Sequence, residues 1–285
     1  MTEKITDESL WLAVIKVTAN PSLRKAGIRC VKSIFYNFFF LQYKAALMPG
    51  RIPVSPVDHP LDTKIPFIPQ QVMIYLGFIS FWVRMLGFLL RTYRSRGIAA
   101  AADFIGSMER LYTFAAKVYS KNLSTTDRPR YLARPRFILI HVMDPHLMCI
   151  PSLHVMVVIR TYTKFRDIIR SLGDEERFAP QIEEMRLGAL GITEAVLYVK
   201  QHSINCVAAA MYAMTRFDPR LFPQEEAGAF ASQIFIHAGV PNHEDSTSIR
   251  NHIAGLYARF FEEGNKTGSW EEPLLGFLHT RISGR

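Results

Sequence analysis

The sequence predicts an all-α protein. Apolar residues recur at helical spacing through most of the chain, while period-two alternation, the mark of a half-buried strand, is rare. At 285 residues the chain can bury a sizeable core. Hydrophobic residues make up 49%, aromatics 12% and charged residues 21%, values that exclude intrinsic disorder, collagen-like repeats and a disulfide scaffold. Cys30, Cys149 and Cys206 are odd in number, lack metal-type spacing and read as reduced thiols.

Residues 8–19 and 22–48 read as two helices joined at Asn20-Pro21-Ser22. The second carries an aromatic run, Phe35 to Phe40, between Lys32 and Lys44, which suits a membrane-surface helix or a core-facing one. Prolines at 49, 53, 56, 60, 66 and 69 then hold an extended linker. From Val72 to Leu90 the only charge is Arg84. That stretch measures about 28 Å as a helix and is the best candidate to cross a bilayer. An Arg near its middle costs about 3 kcal/mol in lipid unless it faces a partner, so a buried helix of a soluble protein stays open.

A helix over 98–120 follows and ends in the polar loop Lys121 to Pro129. Ile138–Val142, Pro151–Phe165 and Leu187–Val199 read as further helical cores, the last two separated by a charged stretch over 170–185 predicted as a solvated insertion. Val207–Met214 continues or restarts the helix before it, and Phe217-Asp218-Pro219 breaks it. Residues 225–238 and 247–263 read as closing amphipathic helices, with His243-Glu244-Asp245-Ser246 as the acidic N-terminal cap of the second. The organisation expected is an N-terminal helical extension and Pro-rich linker over 1–58, a helical core over 59–216 and a C-terminal helical cap over 217–285, with no internal repeat.

Charge narrows function only slightly. The excess of 34 Lys+Arg over 25 Asp+Glu, a net +9, suits anionic lipid, phosphate or nucleic acid and selects none of them. A mean hydropathy of +0.07 does not separate water from lipid either. Met1 to Leu10 carries three acidic groups and no basic region before an apolar core, so no cleaved secretory signal is expected, and membrane contact would come from internal segments. The aromatic run at 35–40 lacks the interleaved Arg or Lys of a base-stacking platform, so no nucleic-acid partner is expected.

Three segments carry chemistry. They are Lys121 followed after six residues by Arg128-Pro129, then Pro151-Ser152-Leu153-His154, then Lys200 to Cys206 around His202. A phosphoryl group in transfer spreads charge over three oxygens, so its site needs fixed cations, hydroxyl or amide donors, a nucleophile and an acid for the leaving oxygen. Lys121 and Arg128 supply cations, Arg128 as a bidentate fork. Ser152 behind Pro151 at a helix start offers a hydroxyl and first-turn amides, and His154 and His202 can divide the roles of acid and nucleophile. Singly, each has a structural explanation: a solvated basic loop for Lys121 and Arg128, a satisfied core histidine for His154 and His202.

At these residues the chain resembles the type 2 phosphatidic acid phosphatase and vanadium haloperoxidase superfamily, whose motifs run Lys-x6-Arg-Pro, Pro-Ser-Gly-His and Ser-Arg-x5-His-x3-Asp. Leu153 in place of Gly resembles the inositol-phosphotransferase and sphingomyelin-synthase branch. Asp62, Ile65-Pro66-Phe67, Pro69 and Tyr75 look like that branch's entry to its first core helix. The likeness covers roughly residues 60–215 and implies a helical bundle of the acid phosphatase type. It implies His202 as a nucleophile forming a phospho-histidine, His154 as the acid, and Lys121, Arg128 and Ser152 as phosphate ligands, without a metal or other cofactor. The third motif departs from the family: Ala195-Val196 replaces Ser-Arg, and Cys206 stands where the imidazole-orienting Asp would be. In the serine-protease triad, the worked case of such a carboxylate, its loss costs about 10⁴ in rate.

Two readings therefore stand. One is a membrane-associated phosphatase or phosphotransferase acting on a lipid phosphate ester, at the cytoplasmic membrane. The other is a catalytically impaired relative that binds a phosphorylated lipid head group without turnover. A second cluster, His141, Asp144, His146 and Cys149, has spacing that can be drawn as a metal site, but Pro145 breaks the helical register that would align it, so no metal is expected. Oligomeric state is not indicated.

Overall fold

The computed structural model describes residues 4–282; the outermost residues of the two predicted extensions, 1–3 and 283–285, lie outside it. The chain is 73% helix and 3% strand, so the all-α class holds. In order, α1 (Leu10–Ala19) and α2 (Pro21–Ile34) meet at Asn20, whose side chain accepts from the amides of Ser22 and Leu23 and so caps α2. A π-helical stretch, Phe35–Phe40, runs on into α3 (Leu41–Leu47). After the proline-rich connection come β1 (Val54–Pro56), α4 (Val72–Leu76) and the long α5 (Phe78–Tyr119). Then follow β2 (Leu123–Thr125), α6 (Pro135–Met143), α7 (Leu153–Ser171), α8 (Ala179–Tyr198), α9 (Ile204–Phe217), α10 (Gln224–Gln233), α11 (His243–Thr267) and α12 (Glu272–Ile282).

The centre is α7 and α9. From Ile204 to Thr215 every residue of α9 is buried, as a helix with no charge before Arg216 must be. α7 packs against α5, α8 and α9, and α11 covers α9 from outside. Beyond α4, the rest of the predicted helix 72–90 and the predicted helix 98–120 become one element, α5, kinked at Arg94, where φ is +47°. A side chain on Gly97 would come within 2.3 Å of the Leu89 carbonyl oxygen, so only glycine lets the two halves approach this closely. Pro69–Tyr119 includes one window long and apolar enough to cross a membrane by length and composition, and 44% of it is buried within the protein.

The charged stretch 170–185 is not an insertion of its own. It forms the end of α7, a short loop and the first turns of α8, where Gln181, Met185 and Ala189 recur every four residues as a buried stripe beneath an outer charged face. A second unpredicted feature matters more for function. Val54–Pro56 pairs in parallel with Leu123–Thr125, and Ser124 bridges to Met148. Strands this short leave no periodicity to read. They tie the linker, the loop after α5 and the approach to α7 into one knot, reinforced by Ile150 N–H donating to Ser124 Oγ at 2.7 Å.

Candidate functional site

Two helix starts build the centre. Ser152 is the N-cap of α7, its hydroxyl accepting from the Val155 amide, and His154 follows in the first turn. Ser203 caps α9 in the same way, directly after His202. The turn between α8 and α9 takes Lys200 into the left-handed region, φ +56°, and the amides of Gln201 and His202 both donate to the Val196 carbonyl. These constraints bring Nε2 of His202 to 3.4 Å from Nδ1 of His154.

The two rings face different environments. His154 is stacked on Tyr75 at a centroid distance of 4.6 Å and meets the edge of Phe78 at 4.4 Å. It lines a cavity of about 350 Å³ whose walls are otherwise almost entirely apolar, including Phe38, Phe39, Trp82 and Leu139. Burial first, and the neighbouring His202 second, push the pKa of His154 down to about 3, so its imidazole is neutral near pH 7. His202 instead lines a polar cleft of about 540 Å³ with Asp58, His59, Asp62, Asp127 and Lys200. The histidine pair is the junction between an apolar cavity and a polar one.

The cleft carboxylates are largely committed to backbone amides. Asp62 accepts from the amides of His59 and Ile204, the latter at the start of α9, while Asp58 accepts from the amide of Asp127. Lys200 donates to the carbonyls of Asp62 and Ile65, which holds its ammonium in the cleft wall. Arg128, from the loop after β2, donates to Gln201 Oε1 at 3.0 Å and to the Asp144 carbonyl at 2.8 Å and lines neither cavity itself.

Behind the histidines lies a chain of ionisable groups. Asp144 Oδ1 accepts from the His146 amide at 2.8 Å, His146 Nε2 is 2.6 Å from Thr126 Oγ1, and Cys149 Sγ is 3.7 Å from His146 Nε2. Burial opposes a charge on His146, but the Cys149 thiolate and the Asp144 carboxylate outweigh it and raise its pKa to about 9. Burial likewise opposes a charge on Cys149, yet hydrogen bonding by Cys206 and the charge of His146 hold it well below the ordinary thiol value. Cys206 and His202 are both among the neighbours that favour the Cys149 thiolate. Among the described residues Nδ1 of His202 is buried without a hydrogen-bond partner.

Of the residues singled out in the sequence, His154 and His202 meet here, Arg128 is tied to Gln201, next to His202 in the chain, and to Asp144, and Cys206 lies one thiol further back. Ser152 is fully buried with its hydroxyl spent on its own helix. Lys121 does not join them. It sits before β2, exposed and ion-paired with Glu271, and lines neither cavity. Seven residues of extended chain reach up to about 23 Å, so the spacing that links Lys121 to Arg128 allows them to part. Sequence reasoning undervalued Lys200, which lines the cleft in its place, and Asp144, His146 and Cys149, which gather behind the histidines. Among the described residues no group of His, Cys, Asp and Glu has metal-binding geometry. Tyr75 and Asp62 were visible only through the segment resembling a core-helix entry. No family model, curated protein or solved structure matches the chain.

Proposed function

We propose that this chain is a membrane-associated phosphatase or phosphotransferase of the acid phosphatase type of helical bundle, acting on a lipid phosphate ester through a phospho-histidine at His202. The observation that carries this reading is the histidine pair at the junction of an apolar cavity and a polar cleft, beside Arg128 and Lys200. An amphiphile fits such a junction, with its hydrocarbon on the Phe78 side and its phosphate on the Lys200 side.

In the first step a lone pair of His202 attacks phosphorus and the P–O bond to the alcohol breaks. The leaving oxygen takes a proton from His154. Because the free His154 imidazole is neutral, that proton arrives with the substrate: a phosphate monoanion bound beside the rings stabilises the imidazolium that burial alone disfavours. In the second step water or a lipid alcohol attacks phosphorus, the N–P bond breaks, and the proton of the attacking oxygen returns to His154. Arg128 and Lys200 offset charge on the equatorial oxygens throughout. Phosphate release from a lipid phosphate in detergent micelles tests this; His202→Ala or His154→Ala protein turning over as fast as the parent would falsify the mechanism.

One observation favours the second reading, binding without turnover. Among the described residues Nδ1 of His202 has no hydrogen-bond partner, where an orienting Asp would hold it. Retention of a phosphorylated lipid with no phosphate release, abolished by Arg128→Ala, would select it.

A further inference from the structure

The outward faces of α1, α2 and the π-helical stretch are unusual in two respects. Between Ser9 and Val57 there is no Asp or Glu, against seven Lys and Arg. All seven are exposed, and among the described residues only Arg29 has an acidic partner, Glu109. On the same segment large apolar side chains point outward. Trp11 is 77% exposed, and Ile28, Val31 and Phe35 recur at spacings of three and four as one stripe, set away from the buried Leu23, Ala26 and Cys30. A helix with cations beside an exposed aromatic and aliphatic stripe is built to lie in a lipid interface.

The apolar cavity supplies an independent observation. Its lining includes Ile79, Leu139 and Met143, which are themselves exposed and therefore border its mouth. Phe38 and Phe39, from the stretch that continues the α2 stripe, form another wall. Tyr43 of α3 donates to the carbonyls of Val142 and Met143, fastening α6 beside this segment. The α6 region adds Arg130, Arg134 and Arg136 and exposed Ile138 and Val142, again with no acid between Arg128 and Met143. The cavity thus opens within the basic apolar face.

We propose that this face, α1 to α3 with α6, docks in the plane of an anionic lipid bilayer, so that a hydrocarbon chain passes from the bilayer to His154 without crossing water. The docking stands on charge and exposure; the passage to His154 rests on the lipid phosphate reading. Charge complementarity selects a membrane over a second copy of the chain, since two such faces would repel.

The 285-residue chain would be floated with phosphatidylcholine vesicles, with and without phosphatidylserine. Binding is expected only with phosphatidylserine and should weaken with salt. Lys25→Gln/Lys32→Gln should weaken it by about tenfold or more, as should Val31→Ser/Phe35→Ser, while Lys266→Gln on α11 leaves it unchanged. These positions are exposed, and unchanged far-UV circular dichroism would show that each variant folds. His202→Ala protein should bind vesicles fully, which separates this proposal from the catalytic one. Absence of binding, equal loss in Lys266→Gln, or dimers in sedimentation that Val31→Ser/Phe35→Ser dissociates would each overturn it.

Discussion

Acid should destabilise this protein through His154, and the size of the effect follows from its surroundings. Unfolded, the imidazole titrates near its ordinary 6.5; folded against Tyr75 and Phe78 and facing His202, it titrates near 3. Between those values the unfolded chain holds a proton that the folded chain rejects, so stability falls as pH falls, by about 1.4 kcal/mol per pH unit. From pH 7 to 4.5 the total is at most about 2.5 kcal/mol. Other groups titrate over the same range, so the informative quantity is the difference between the parent and His154→Gln, which keeps a polar side chain but does not titrate. Urea unfolding followed by circular dichroism at several pH values would measure it. The parent should lose stability relative to His154→Gln as pH drops, by about that amount. Parallel profiles would show that the stacked, buried environment does not disfavour the imidazolium, and the requirement for a proton delivered with the substrate would fail with it.

Further outcomes follow from packing. Arg160 is buried, donates to Asp218 at 2.7 Å and to Ser107 at 3.1 Å; Arg160→Ala strands the carboxylate and should cost about 3 kcal/mol in urea unfolding, whereas a loss below 1 kcal/mol would mean that the pair is dispensable. Gly97→Ala forces a methyl group against the Leu89 carbonyl oxygen and should lower stability by about 3 kcal/mol. On the same helix Gly106→Ala meets only Arg110 at 3.6 Å and should gain up to about 1 kcal/mol, so equal effects of the two changes would argue against the close approach at the kink. Arg128→Ala should lower stability by about 1–3 kcal/mol, because Gln201 and the Asp144 carbonyl lose their donor, and thermal melts with and without a lipid phosphate would separate that loss from the loss of ligand stabilisation.

Much of the helical framework was legible in the sequence because helices are local. The break at Asn20-Pro21, the helix start at Ser152 and the apolar run Val207–Met214 of α9 each lie within a few turns of chain. The β1–β2 pair was not legible, since its partners are some seventy residues apart and each is only three residues long. Nor was the start of α8, where exposed charges mask a buried stripe at Gln181, Met185 and Ala189. At the site, residue types and order pointed to His154, His202 and Arg128, because phosphoryl chemistry demands those groups. Order alone carries no direction, and it ranked Lys121 with them although the chain turns that side chain outward to Glu271.

The sequence by itself determined the helical class and the set of groups available for phosphate chemistry, for periodicity and composition are properties of the chain. Only the tertiary structure decided which of those groups meet. It set His154 against aromatic rings and His202 in a polar cleft, and it gathered Asp144, His146 and Cys149 behind them. The physical reason is that burial and charge act over a few ångströms in space, whereas the contacts that impose them come from segments separated by dozens of residues.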